Sequence, residues 1–110
     1  LSLKKILGTI YTMTELTSKQ RKQLEKQAHN LAPIVIVGGN GVSPQVIEMV
    51  LKSLDFHELI KVKFNEFKDE KRSLTEEICA KTEATLVRII GNVAILFKQN
   101  EDPKKRKYTI

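Results

Sequence analysis

Four β-branched residues, Ile34-Val35-Ile36-Val37, run straight into Gly38-Gly39-Asn40-Gly41 and then into Ser43-Pro44. A continuous β-branched run predicts a strand buried on both faces and central in its sheet. Ser43 suits an N-cap, and Pro44 suits the first helical position, where its missing N–H is not needed. The segment therefore reads strand, glycine loop, helix. Backbone N–H groups gathered there without side chains in the way form a geometry that binds phosphate. The same glycines also serve a plain connector that needs φ > 0. Two nucleotide patterns are excluded. No G-x-G-x-x-G follows the strand, and Val42-Ser43 stands where a P-loop needs Lys-Ser/Thr.

The flanking segments complete one α/β domain. Thr17 with Gln20 forms a capping box, so a first helix starts near Leu16 and Pro33 ends it. Leu24, Ala28 and Leu31 give its apolar stripe, with Lys19, Lys22, Lys26 and His29 on the opposite side. Ile47, Val50, Leu51 and Leu54 mark the core face of a second helix ending near His57. Ile60, Val62 and Phe64 alternate with Lys61 and Lys63, which predicts a half-exposed strand. A polar loop and a third helix carrying Leu74, Ile78 and Cys79 follow. Leu86–Ile90 and Val93–Phe97 read as strands joined by a tight Gly91-Asn92 hairpin. The order is helix-strand-helix-strand-helix-strand-strand, and it implies a mixed four-stranded sheet packed with helices.

Residues 1–12 are expected to be an extension ahead of a start at Met13, introduced in cloning or read from upstream. Residues 13–100 form the domain. Residues 101–110 are a basic tail, either disordered or adding a short edge strand at Tyr108–Ile110. The single cysteine, Cys79, excludes an internal disulfide and reads as a small buried hydrophobe in a reducing compartment.

Lys and Arg total 19 against 13 Asp and Glu, a net charge of +6. Such an excess favours a polyanionic partner. The candidate contacts are the glycine loop, the lysines of the first helix, and Lys61, Lys63 and Arg88 on the strands. Whether those strand cations share one sheet face depends on register. No catalytic site is legible: His29 and His57 lack a nucleophile, and Glu66–Glu70 and Glu76-Glu77 read as surface charge. No metal site, cofactor or small-molecule substrate is expected. Without Trp, and with Phe64 and Phe97 alternating into the core, a base-stacking sheet platform is not expected either.

Three separated blocks then resemble one family. They are Leu16-Thr-Ser-Lys-Gln-Arg with Ala28-His-Asn-Leu-Ala-Pro-Ile-Val-Ile-Val-Gly-Gly-Asn-Gly41-Val; His57-Glu-Leu-Ile-Lys-Val-Lys63; and Val87-Arg-Ile-Ile-Gly91 with Ile95-Leu-Phe-Lys98. Together they resemble the CRM domains of chloroplast RNA splicing and ribosome maturation, closest to the stand-alone bacterial YhbY type. The resemblance covers Leu16 to Lys98. It implies a fold similar to the C-terminal domain of translation initiation factor three, with a KH-like GxxG loop. It implies RNA binding without chemistry, on precursors of the large ribosomal subunit in the cytoplasm. The family's loop falls on Gly38, Gly39, Asn40 and Gly41, its basic helix on Lys19, Lys22 and Lys26, and its helix-to-strand lysine on Lys61. The chain departs from the pattern at Asn92, where Lys or His is usual, and at Leu96-Phe97-Lys98, where Leu-Tyr-Arg is usual. A monomeric RNA-binding protein that stays off membranes is expected. The alternative is a module that docks on a ribosomal protein, with the glycine loop only a turn.

Overall fold

A computed structural model describes residues 15–110. The expected extension at residues 1–12 lies outside the described residues. The capping box forms as expected: Thr17 Oγ1 accepts from Gln20 N (3.1 Å), and Gln20 Oε1 accepts from Thr17 N (2.9 Å). It opens helix α1 (Ser18–Ala28), followed by strand β1 (Val35–Val37) and helix α2 (Pro44–His57). Strand β2 (Leu59–Phe64) leads through a 3-10 turn at Lys68–Glu70 into helix α3 (Lys71–Thr82). Strands β3 (Thr85–Ile90) and β4 (Val93–Phe97) close the sheet, their hairpin turning at Gly91 with φ +58°.

The sheet order is β1-β2-β4-β3, with β1 parallel to β2 and the other pairs antiparallel. Side-chain alternation then makes three layers. Ile60, Val62, Phe64, Ala94 and Leu96 face α2 and α3, packing on Val50, Leu54, Ile78 and Cys79. Leu59, Val87, Ile95 and Phe97 face the other way and pack on Leu24 and Ala28 of α1.

Two expectations from apolar runs fail here. The β1 run is not central: it forms an edge strand, and Ile36 is 45% exposed. A β-branched run records strand preference, but burial depends on what covers each face. Here α1 covers only the Leu59–Phe97 end of its side. Leu31 lies beyond the last turn of α1, and Leu51 flanks the buried stripe of α2, so both are exposed.

The tail adds no strand. Pro103–Lys105 is a 3-10 turn, and Tyr108 and Ile110 pack against the α1-side core. The anchor is Glu58, which is fully buried. Its Oε2 accepts from Asn100 N (2.6 Å), and its Oε1 accepts from Lys107 N (2.6 Å) and Tyr108 N (3.3 Å). The Phe97 ring meets Tyr108 edge-on, with centroids 6.2 Å apart. Phe97 is therefore a core residue.

Cys79 is buried on α3 as expected, and burial, aided by the charge of Glu76, pushes its thiol up to about 11. The thiolate is the reactive form, so native protein at pH 8 should resist alkylation. Iodoacetamide labelling followed by mass measurement should show modification only after denaturation.

Candidate nucleic-acid interface

Register decides which cations meet. Lys61 pairs across with Ile95, and Ile95 with Arg88, so both cations lie on the α1 side of the sheet. A bulge between Leu86 and Arg88 makes this possible, because it leaves Val87 and Arg88 on the same side. Arg21 satisfies the bulge: its Nη1 donates to Leu86 O and to Val87 O, the latter at 2.9 Å. Sequence reasoning missed Arg21. The available signal was a guanidinium lying on the helix side that carries Leu24 and Ala28.

With α1 held there, Lys22, Lys26 and His29 look across a groove of about 880 Å³ toward Lys61 and Arg88. Its floor is Ile90, Val93 and Ile95. One carboxylate, Glu25, also lines it and lies 3.5 Å from Arg88 Nη1. The pair is too exposed to add much stability. Four permanent cations against one carboxylate leave the groove positive.

The other predicted cations have different positions. Lys63 is exposed in the next row of the same face, Ile36–Lys63–Val93–Ile90, which α1 leaves uncovered. Lys19 is exposed on the first turn of α1 but does not line the groove. Lys61 has a structural task as well: its Nζ donates to His29 O (3.3 Å) and Leu31 O (2.8 Å), capping the chain as it leaves α1. Asn92, the departure in the hairpin, accepts from Lys71 Nζ at 3.2 Å.

The glycine loop leaves β1 beside this uncovered end, since Val37 pairs with Phe64 and the loop begins at the next residue. Gly41 N donates back to Gly38 O (3.0 Å), closing a turn around Gly39 and Asn40. Both central residues are exposed, and their amides donate to no acceptor among the described residues. Ser43 caps α2, its Oγ accepting from Val46 N at 3.3 Å. The positive end of the α2 dipole therefore lies just behind the turn.

The glycines divide by cause. Gly41 has φ +64°, the left-handed region that favours glycine, while a Cβ there would make only an ordinary 3.5 Å contact with the Phe67 ring. Gly38 and Gly39 have nothing within 4 Å of an added Cβ and no positive φ. Their lack of a side chain is not explained by packing. It does leave the turn open to close approach from outside.

Among the described residues, no helix is long and apolar enough to cross a membrane, and no group of three or more His, Cys, Asp or Glu could hold a metal.

A basic groove and an open amide turn are thus carried by one small α/β domain. The CRS1 / YhbY (CRM) domain profile matches residues 16–98, and the chain belongs to that family. It is 38% identical over 91 residues to a "Probable RNA-binding protein" of Pseudomonas aeruginosa, covering 82% of this chain and 88% of the relative. It is 37% identical over 93 residues to an "RNA-binding protein" of Haemophilus influenzae, covering 84% and 94%. The solution structure of the hypothetical protein SAV1595 from Staphylococcus aureus matches with a TM-score of 0.71 and 32% identity, covering 86% of this chain and all of that one.

Proposed function

We propose that this protein binds RNA through its sugar-phosphate backbone, and that it does so on precursors of the large ribosomal subunit, whose assembly it assists. It acts in the cytoplasm as a monomer without catalysing a reaction. The observation that carries the reading is the open turn at Gly38–Gly41, standing at the end of the sheet next to the basic groove. In this reading the unpartnered amides of Gly39 and Asn40, backed by the α2 dipole, hold a phosphate. Lys22, Lys26, Lys63 and Arg88 supply affinity by releasing counterions, with Lys61 adding charge while it caps α1. Lys19 extends the stripe. Recognition is then mainly of backbone and shape. The names of the relatives support RNA as the partner.

The test is Gly39→Asp with Asn40→Asp. Both positions are exposed and Gly39 has room for a side chain, so the fold should hold. The two carboxylates would repel phosphate at the turn. We expect affinity for structured ribosomal RNA at fixed salt to fall at least ~10-fold, about 1.4 kcal/mol, with an unchanged melting curve. Wild-type affinity in the double variant would remove the phosphate from the loop. Salt-independent binding to a ribosomal protein, with no RNA binding, would favour the docking alternative.

A further inference from the structure

Resting on the RNA-binding reading, we propose that Phe67 is a stacking platform for one unpaired nucleobase, whose backbone phosphate is held by the neighbouring glycine turn.

Phe67 has φ +57° and ψ +39°. A bulky side chain in the left-handed region is uncommon and disfavoured, and such residues cluster at functional sites. Glycine or asparagine would turn the chain there with less strain. The ring lies beside Gly41, 3.5 Å from where a Cβ would stand, which is ordinary van der Waals contact. It is nevertheless 42% exposed, so only part of its surface is spent on that contact. The segment is held to the loop: Asn65 N and Glu66 N both donate to Val37 O, at 3.0 and 3.3 Å. Among the other described Phe and Tyr rings, Phe64 and Phe97 are buried and Tyr108 packs on Phe97. Phe56 is more exposed, at 73%, but it stands in the last turn of α2, at the far end of that helix from the glycine turn, with the Lys107 ammonium 5.8 Å above its ring.

Gly41 is two residues from Gly39, so their Cα atoms lie at most about 7.6 Å apart. A phosphate on the turn and a base on the ring are then within reach of a single nucleotide. An aromatic face accepts any base, so this contact adds affinity for unpaired RNA with little sequence preference. Lys68 follows directly and is exposed, adding positive charge beside the ring.

The experiment compares two probes, a single-stranded hexaadenylate and an abasic ribose-phosphate strand of equal length, by fluorescence anisotropy at one salt concentration. Wild-type protein should bind the adenylate ~10-fold or more tighter. Phe67→Ala and Phe67→Gly should lose that advantage and leave abasic binding unchanged, while Phe67→Trp keeps it. Phe67→Gly relieves the backbone, so its melting midpoint should hold even as adenylate affinity falls. Equal wild-type binding of both strands overturns the platform and leaves the backbone-binding reading standing. So does an equal loss on both strands in Phe67→Gly, which would mark a disturbed loop. If wild-type protein binds neither strand nor structured ribosomal RNA, the RNA reading itself falls, and the platform with it.

Discussion

Glu58→Gln should lower the unfolding free energy by about 2–4 kcal/mol. For a domain of this size that moves the melting midpoint down by roughly 10–20 °C. The substitution keeps the shape of the side chain and leaves the unusual backbone at this residue (φ 64°) in place. What changes is the acceptor inventory. Carboxylate oxygens accept from three backbone amides, of Asn100, Lys107 and Tyr108. An amide side chain has one acceptor oxygen and an NH₂ group. In either orientation the NH₂ opposes at least one backbone N–H, either the buried amide of Asn100 or the part-buried amides of Lys107 and Tyr108. Each such donor costs about 1–3 kcal/mol. The loss should concentrate in the tail, because two of the three amides belong to residues 107 and 108. A double-mutant cycle with a chain ending at Gln99 checks this: the cost of Glu58→Gln should shrink when the tail is gone. A cost below about 0.5 kcal/mol, the size of an ordinary surface change, would refute the anchor.

Lys22→Ala, Lys26→Ala and Arg88→Ala combined should weaken binding to single-stranded RNA ~100-fold at 0.1 M salt. Each phosphate contact on a single strand contributes about 0.7 to the slope of log K against log salt. Three contacts give a slope change of about 2, and at 0.1 M that is the same two decades. All three residues are exposed and line one groove, so the melting curve should barely move. Lys61 is left out of the variant, because its ammonium also caps the His29–Leu31 turn. Anisotropy titrations at several salt concentrations are the measurement. A triple variant with wild-type slope would show that these cations do not meet phosphates. A loss equal at every salt concentration would point to a shape change instead.

Local chemistry was legible in the chain. The Thr17–Gln20 box, the Ser43-Pro44 cap, the Lys61/Lys63 alternation and the Gly91-Asn92 hairpin each act over a few residues, and each stands where the pattern puts it. The lysine stripe of α1 was legible for the same reason, since helical periodicity alone places Lys22 and Lys26 together. The errors were of another kind. Ile36, Leu31 and Leu51 were expected in the interior because they are apolar, yet no element covers them. The bulge beside Val87 and the folding-back of the tail onto Glu58 join residues tens of positions apart. No local pattern encodes those partners.

The elements, their caps, the turn glycines and the excess of positive charge were written in the chain, because those follow from backbone sterics and residue type at short range. Packing alone made β1 an edge strand, brought Lys61 and Arg88 to the α1 lysines around one groove, and turned Glu58 into an anchor. Packing also laid the ring of Phe67 beside Gly41. The physical reason is that burial, strand register and the hydrogen bonding of a buried carboxyl group depend on which distant segments pack together, and that choice is made by the whole chain at once.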